Sequence, residues 1–206
     1  MNWNAPNILT LLRLVLIPVF IAAYYLPLPW ANVLAASIFI VAALTDWLDG
    51  YLARRLQQQS SFGAFLDPVV DKLMVAAALV MLVADPEITR GVLDARVFAI
   101  VVLVIVGREI TVSALREWMA GLGKRSHIAV SFVGKFKTSA QMLAIPFLLW
   151  RDPLWGLPTL RIGEVLLYIA GALTLWSMLI YLRTAWAELM RPEPAAAKTA
   201  IRRSQP

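Results

Sequence analysis

Six apolar stretches of near membrane-spanning length recur along this 206-residue chain, and about 20 such residues are what one α-helix needs to cross a bilayer. They lie near 7–26, 31–54, 64–84, 96–117, 134–150 and 162–187, and they predict an all-α polytopic membrane protein with six transmembrane helices. Hydrophobic residues make up 60% of the chain and the mean hydropathy is +0.72, far above an ordinary soluble domain. Turn chemistry separates the stretches: Pro27 and Pro29, then Asp85-Pro86, then Arg151-Asp152-Pro153 with Pro158. Residues 1–189 read as one membrane domain. The tail RPEPAAAKTAIRRSQP, residues 190–206 in the main, is polar, rich in Pro and Ala, and expected to be disordered. No cleavable signal peptide is evident, since no positive segment or small-residue cleavage site accompanies the first apolar stretch.

The polar residues give orientation and exclude several chemistries. With the N-terminus cytoplasmic, one side holds Arg54, Arg55, Arg116, Lys124, Arg125, Lys135, Lys137 and the basic tail. The other holds only Arg90, Arg96, Arg151 and Arg161. The positive-inside rule therefore places both termini and the 54–63 loop in the cytoplasm. The formal charge of +6 fits anionic lipid head groups better than nucleic acid, because the basic residues sit in loops and tail. Cysteine is absent, which excludes disulfides and thiolate metal sites. His127 is the single histidine, so multi-histidine zinc sites are excluded too, and it reads as a solvated loop residue. Trp3, Trp30, Trp118, Trp150 and Trp155 fall near span ends and read as interfacial anchors. Gly163, Gly171 and Ala172 allow helices to pack closely. There is no internal repeat of the kind found in secondary transporters.

Within this apolar sequence lie four carboxylates. Asp46 and Asp49 occur in TDWLDGYLARR, and Asp67 and Asp71 in GAFLDPVVDK. Charge at membrane depth is costly, and an acid found there marks a functional site by default. At helical periodicity Asp46, Asp49, Gly50 and Ala53 share one face of the second span, and Gly63, Asp67 and Asp71 share one face of the third. A short loop makes these spans antiparallel neighbours, so the acidic faces are expected to meet near the cytoplasmic ends. Gly50 and Gly63 leave room for a ligand, Arg54 offers a planar fork suited to phosphate, and Ser60 offers a hydroxyl. Oxygen-only ligands suit a hard cation such as Mg²⁺ or Mn²⁺. Two such ions would match four negative charges and clamp a phosphoryl group between them. The simpler alternative is that the aspartates only pair with Arg54, Arg55 and Lys72.

A second polar cluster occupies the fourth and fifth spans: Arg108, Glu109, Thr111, Ser113 and Arg116, then Lys135, Lys137, Thr138 and Gln141. Arg108 pairing with Glu109, and the two lysines as topology signals, is the bland account. Taken together, Arg108, Arg116, Lys135 and Lys137 form a cup for an acceptor that carries its own phosphate.

The run Asp46-x-x-Asp49-Gly50-x-x-Ala53-Arg54, eight residues, Gly63-x-x-x-Asp67-x-x-x-Asp71 resembles the signature of the CDP-alcohol phosphatidyltransferases, without departure in spacing or residue type. The resemblance implies a six-helix membrane enzyme that moves a phosphatidyl group from a CDP-linked lipid to an alcohol and releases CMP. It implies that Asp46, Asp49, Asp67 and Asp71 hold the metals, and that Asp71 is the general base. Asn7, Thr10, Gly50, Arg54, Ser60 and Gly63 would contact the CDP moiety. The runs Asn7-Ile-Leu-Thr10-Leu-Leu-Arg13, Gly107-Arg108-Glu109 and Gly134-Lys135-Phe-Lys137-Thr138-Ser-Ala-Gln141 are similar to those of the bacterial branch whose acceptor is sn-glycerol 3-phosphate. That branch implies CDP-diacylglycerol as donor, a homodimer, and a bacterial inner membrane with the active site facing the cytoplasm. The same chemistry with inositol phosphate, serine or phosphatidylglycerol as acceptor is the near alternative. A cation transporter is the alternative from another class.

Overall fold

A computed structural model describes residues 5–56, 61–121 and 132–189 of the chain. Ser60, His127, Trp3 and the tail lie outside the described residues, as do the side chains of Asp49, Gly50, Arg54 and Lys135. Among the described residues six long helices form: α1 (Ala5–Tyr24), α2 (Ala31–Leu56), α3 (Ser61–Ala84), α5 (Ala95–Gly121), α6 (Phe132–Trp150) and α7 (Thr159–Leu189). A seventh, α4 (Pro86–Gly91), is a single short segment where the sequence promised only a turn. Its origin is local: the Asp85 carboxylate caps it by accepting the Glu87 N–H at 2.7 Å, and Pro86 occupies the first turn, where a missing N–H costs nothing. Among the described residues the architecture is all-helical, apart from an isolated bridge between Leu154 and Leu157. Trp155 and Gly156 turn the chain there with φ of 50° and 80°, which the glycine adopts without strain.

Four of these helices, α1, α2, α5 and α7, are long and apolar enough to cross a membrane by length and composition. The remaining two long helices carry more polar content, Asp67, Asp71 and Lys72 in α3 and Lys137 and Gln141 in α6. Exposure follows the inverted pattern of a lipid-facing surface. Leu44, Leu103, Ile110, Leu143 and Trp176 point outward, whereas Phe20, Phe39, Leu82, Phe98, Ile105 and Leu148 pack in the centre.

The long helices close into a ring in the order α1, α2, α6, α7, α5, α3. Chain neighbours are therefore not always spatial neighbours. Among the described residues α2 and α3 touch each other little, and α1 packs along both. The tightest seam joins α6 to α7. A Cβ on Gly163 would sit 2.9 Å from the Leu148 nitrogen and 3.0 Å from the Ala144 oxygen, so only glycine permits this approach. Gly171 plays the same part against Val101 of α5, whose Cγ1 would lie 2.7 Å away.

At the end of the ring that holds the 24–31, 84–95 and 150–159 connections, hydrogen bonds tie loops to helices. The Tyr24 hydroxyl donates to Asp85 at 2.6 Å, and Arg151 reaches both Asp85 at 3.1 Å and Glu87 at 2.7 Å. Asn32 donates to the Trp150 carbonyl at 2.8 Å and to Asp152 at 2.6 Å. Glu164, fully buried, accepts from the Leu93 N–H, Arg161 and the Tyr168 hydroxyl at 2.7, 2.7 and 2.9 Å. Trp30 and Trp155 are exposed there, as an interfacial anchor should be. Trp150, another of the expected anchors, is partly buried against the core.

Candidate active site

At the opposite end, α1 contributes a stripe of three polar side chains to the bundle interior. Asn7, Thr10 and Arg13 recur every third residue, which keeps them on one helix face, and all three are buried. Asp46 of α2 and Asp67 and Asp71 of α3 converge on this stripe, the last two one helical turn apart. Arg13 Nη1 lies 2.7 Å from Asp46 Oδ1 and also donates to Asp71 Oδ1. Its Nη2 lies 3.8 Å from Asp67 Oδ1, and the Thr10 hydroxyl donates to the same oxygen.

Asp46 of α2 and Asp67 and Asp71 of α3 thus come together, as expected, and an arginine of α1 bridges them. Arg13 is the functional side chain that sequence reasoning passed over, although it lies within a run quoted for its likeness. The available signal was the i, i+3, i+6 polar stripe in an otherwise apolar helix. Thr10, expected against the CDP moiety, here orients a carboxylate. Asn7 is buried on the same stripe, and Gly63 is buried one turn before Asp67. Asp49, Gly50 and Arg54 continue the Asp46 face of α2 at the level of the backbone.

The charge balance defines what this cluster can do. Three carboxylates, each about a third exposed at 39%, 33% and 35%, share one buried guanidinium, so the described group carries a surplus of two negative charges if all are ionised. Oxygen-only donors with that surplus fit a hard divalent cation. Among the described residues no three acids close on a single point as a metal cage. Arg13, Asp46 and Asp71 bound a small cavity of about 20 Å³.

The second cluster has the opposite surplus. Lys137, almost wholly buried, bonds to Glu109. Arg108 lies 3.2 Å from the same carboxylate oxygen and donates to Ser177 Oγ at 3.3 Å. Arg108 and Arg116 both lie 5.6 Å from the centroid of the Tyr181 ring, a cation–π geometry, and Arg116 donates to its hydroxyl at 3.3 Å. Three of the four expected acceptor cations, Arg108, Arg116 and Lys137, are therefore brought together. Glu109 organises two of them, and the expected Arg108–Glu109 pairing is present. Ser177 and Tyr181 of α7 were not foreseen, since nothing in the α7 sequence marks its inward face. With Glu109 ionised, the cluster carries two surplus positive charges.

A family model described as CDP-alcohol phosphatidyltransferase matches residues 3–176 of the chain. The chain belongs to the CDP-alcohol phosphatidyltransferase family. Members of this family generally depend on a divalent metal. Among its similar relatives are proteins of Shigella flexneri serotype 5b (strain 8401), Shigella boydii serotype 4 (strain Sb227) and Escherichia coli (strain K12). All three bear the name CDP-diacylglycerol–glycerol-3-phosphate 3-phosphatidyltransferase. Each is 50% identical over 190 residues, which cover 92% of this chain and 99% of the relative. Membership in a family of phosphatidyltransferases sets the transporter reading aside.

Proposed function

We infer that the chain transfers the phosphatidyl group of CDP-diacylglycerol to sn-glycerol 3-phosphate, giving phosphatidylglycerophosphate and CMP. The observation that carries this reading is the pairing of two clusters of opposite surplus in a chain half identical to proteins of that name. The acidic cluster suits a metal-bound diphosphate, and the basic one suits an acceptor with its own phosphate. In the reaction the acceptor hydroxyl oxygen bonds to the phosphorus that carries diacylglycerol. The bond from that phosphorus to the CMP oxygen breaks, and CMP leaves with the electron pair.

The hydroxyl is a poor nucleophile, so a carboxylate must take its proton, a role worth about 10²–10⁴-fold. Asp71 is our assignment for that base. Asp46, Asp49, Asp67 and Asp71 would hold two Mg²⁺ or Mn²⁺ ions, which would neutralise charge developing on the diphosphate. Gly50, Arg54, Ser60, Gly63, Asn7 and Thr10 would meet the CDP moiety. Arg108, Arg116, Lys135 and Lys137 would bind the acceptor phosphate, with Tyr181 and Glu109 fixing the cations in place. With metal held by the carboxylates, the Arg13 fork would offer donors suited to diphosphate oxygens. The basic asymmetry between the two ends supports six spans with both termini and the active site cytoplasmic, in a bacterial inner membrane. A homodimer rests on family likeness.

The test is CMP release by the detergent-purified protein given CDP-diacylglycerol, Mg²⁺ and glycerol 3-phosphate. Release should require all three, and Asp71→Asn should lower it by about 10³-fold or more with folding intact. Release with serine or inositol phosphate but not with glycerol 3-phosphate would overturn the acceptor assignment alone.

A further inference from the structure

Lys72 follows Asp71 in α3, and among the described residues it forms no ion pair. It shares a cavity of about 250 Å³ between α3 and α5 with Glu109, and the other residues that line this cavity are apolar. A cation there attracts the one carboxylate that shares its walls, because apolar surroundings screen the pair weakly. Glu109 is already engaged elsewhere. Lys137 and Arg108 both bond to one oxygen of its carboxylate, Oε1, and Oε2 takes no bond from the described residues. The Glu109 side chain is 27% exposed, whereas Arg108 and Lys137 are buried. One carboxylate thus has two sets of cations within its reach, held by the first and sharing a cavity with the second.

We propose that Glu109 occupies the seat of the acceptor phosphate until the acceptor displaces it, and thereby restricts the acceptor to alcohols that carry a dianionic phosphate. The proposal rests on the basic cluster being the acceptor-phosphate seat. Lys137 and Arg108 are two of the cations assigned to that phosphate, and a carboxylate of the chain itself holds both. An incoming phosphate must take them from Glu109, exchanging charged hydrogen bonds for others of the same kind. A carboxylate brings one negative charge, and a phosphate monoester brings close to two at neutral pH. The dianion gains on the exchange, the more so where screening is weak. A monoanion, such as a phosphodiester or the carboxylate of an amino acid, gains nothing and must still move Glu109. The displaced carboxylate is repelled by the phosphate, and Lys72 offers it a partner in the α3–α5 cavity. Until the acceptor arrives, Glu109 also spares buried Lys137 the cost of standing unpaired. It acts as a positioning and selecting residue, and no covalent bond changes in the exchange.

The experiment is calorimetric titration of the detergent-purified full chain with glycerol 3-phosphate and with its methyl phosphodiester, which keeps the glycerol but carries one charge. Mg²⁺ and CMP are present, so that no transfer occurs. Wild type should bind the monoester more tightly than the diester by about 10–100-fold. Glu109→Gln should bind both ligands more tightly and reduce that ratio by about tenfold, since neither then has a carboxylate to displace. Lys72→Met should weaken glycerol 3-phosphate binding by about tenfold while Glu109 is present, and change nothing in the Glu109→Gln background. Weaker monoester binding by folded Glu109→Gln, an unchanged ratio, or a Lys72→Met loss of equal size in both backgrounds overturns the proposal. Glu109→Gln leaves Lys137 without a carboxylate, so its folding is checked by thermal unfolding. Lys72→Met keeps every bond of the basic cluster, and alone it decides the matter if the first variant does not fold: no loss of affinity overturns the proposal. Wild type that binds neither ester, nor inorganic phosphate, would instead remove the acceptor seat itself. That failure is distinct from one in which the monoester binds without regard to Glu109.

Discussion

The two ends of the bundle are both rich in buried polar contacts, yet they are balanced differently. At the end of the 24–31, 84–95 and 150–159 connections, acids meet donors in near-matched sets. Glu164 has three donors, Asp152 one from Asn32, and Arg151 joins Asp85 to Glu87. The Asn32, Leu93 and Arg151 contacts span long separations in sequence and fasten loops to helices. At the other end three carboxylates crowd one guanidinium, and two cations share one glutamate. The first network gives its acids hydroxyl, amide and backbone donors as well as two arginines. The second leaves a surplus that, on the proposed function, metal and substrate would complete, at a cost in stability.

Exchanging an acid at each end tests that contrast. Asp46→Asn removes one of the surplus carboxylates and should reduce CMP release by about 10³-fold or more. Its melting temperature without metal should stay the same or rise, since Arg13 keeps Asp71 and carboxylate repulsion falls. A clear drop would mean that the acidic cluster is a structural clasp after all. Glu164→Ala should do the reverse. It strips the acceptor from the Leu93 N–H, Arg161 and Tyr168, and should destabilise the protein by about 3 kcal/mol while turnover below the melting temperature persists. Thermal unfolding in detergent, read beside turnover, separates the two classes.

A smaller effect belongs to the α6–α7 seam. Gly163→Ala should cost about 1–3 kcal/mol, because the added methyl meets backbone atoms that cannot step aside. Gly107→Ala, with nothing within 4 Å of the new carbon, should change stability by less than about 1 kcal/mol. Equal effects at the two glycines would remove the close-approach account of the seam.

The helices and the aspartates were legible in the sequence for separate reasons. Length and apolarity define a long helix without reference to its neighbours, and carboxylates stand out in apolar sequence because they are costly there. Arg13 was not legible as their partner. It lies 33 and 58 positions from the acids it holds, and the ring order that brings α1 between α2 and α3 is a property of packing, invisible in local periodicity. The basic cluster was half legible for the same reason: its cations were named, whereas Ser177 and Tyr181 arrive from a helix two elements away. The short helix α4 was missed because its cap and proline were read as turn residues alone.

The ring order also sets a timetable for synthesis. Residues of α1, α2 and α3, which carry the described aspartates and Arg13, all leave the ribosome before α6 begins at Phe132. At ordinary translation rates the interval between the end of α2 and the start of α6 is on the order of 4–15 s. During it the flank of α2 that α6 will cover stands open, and Arg13 of α1 can hold the acids together before half of the molecule exists. Arg13 would then act as an assembly clamp in the nascent chain, before any substrate has reached the site.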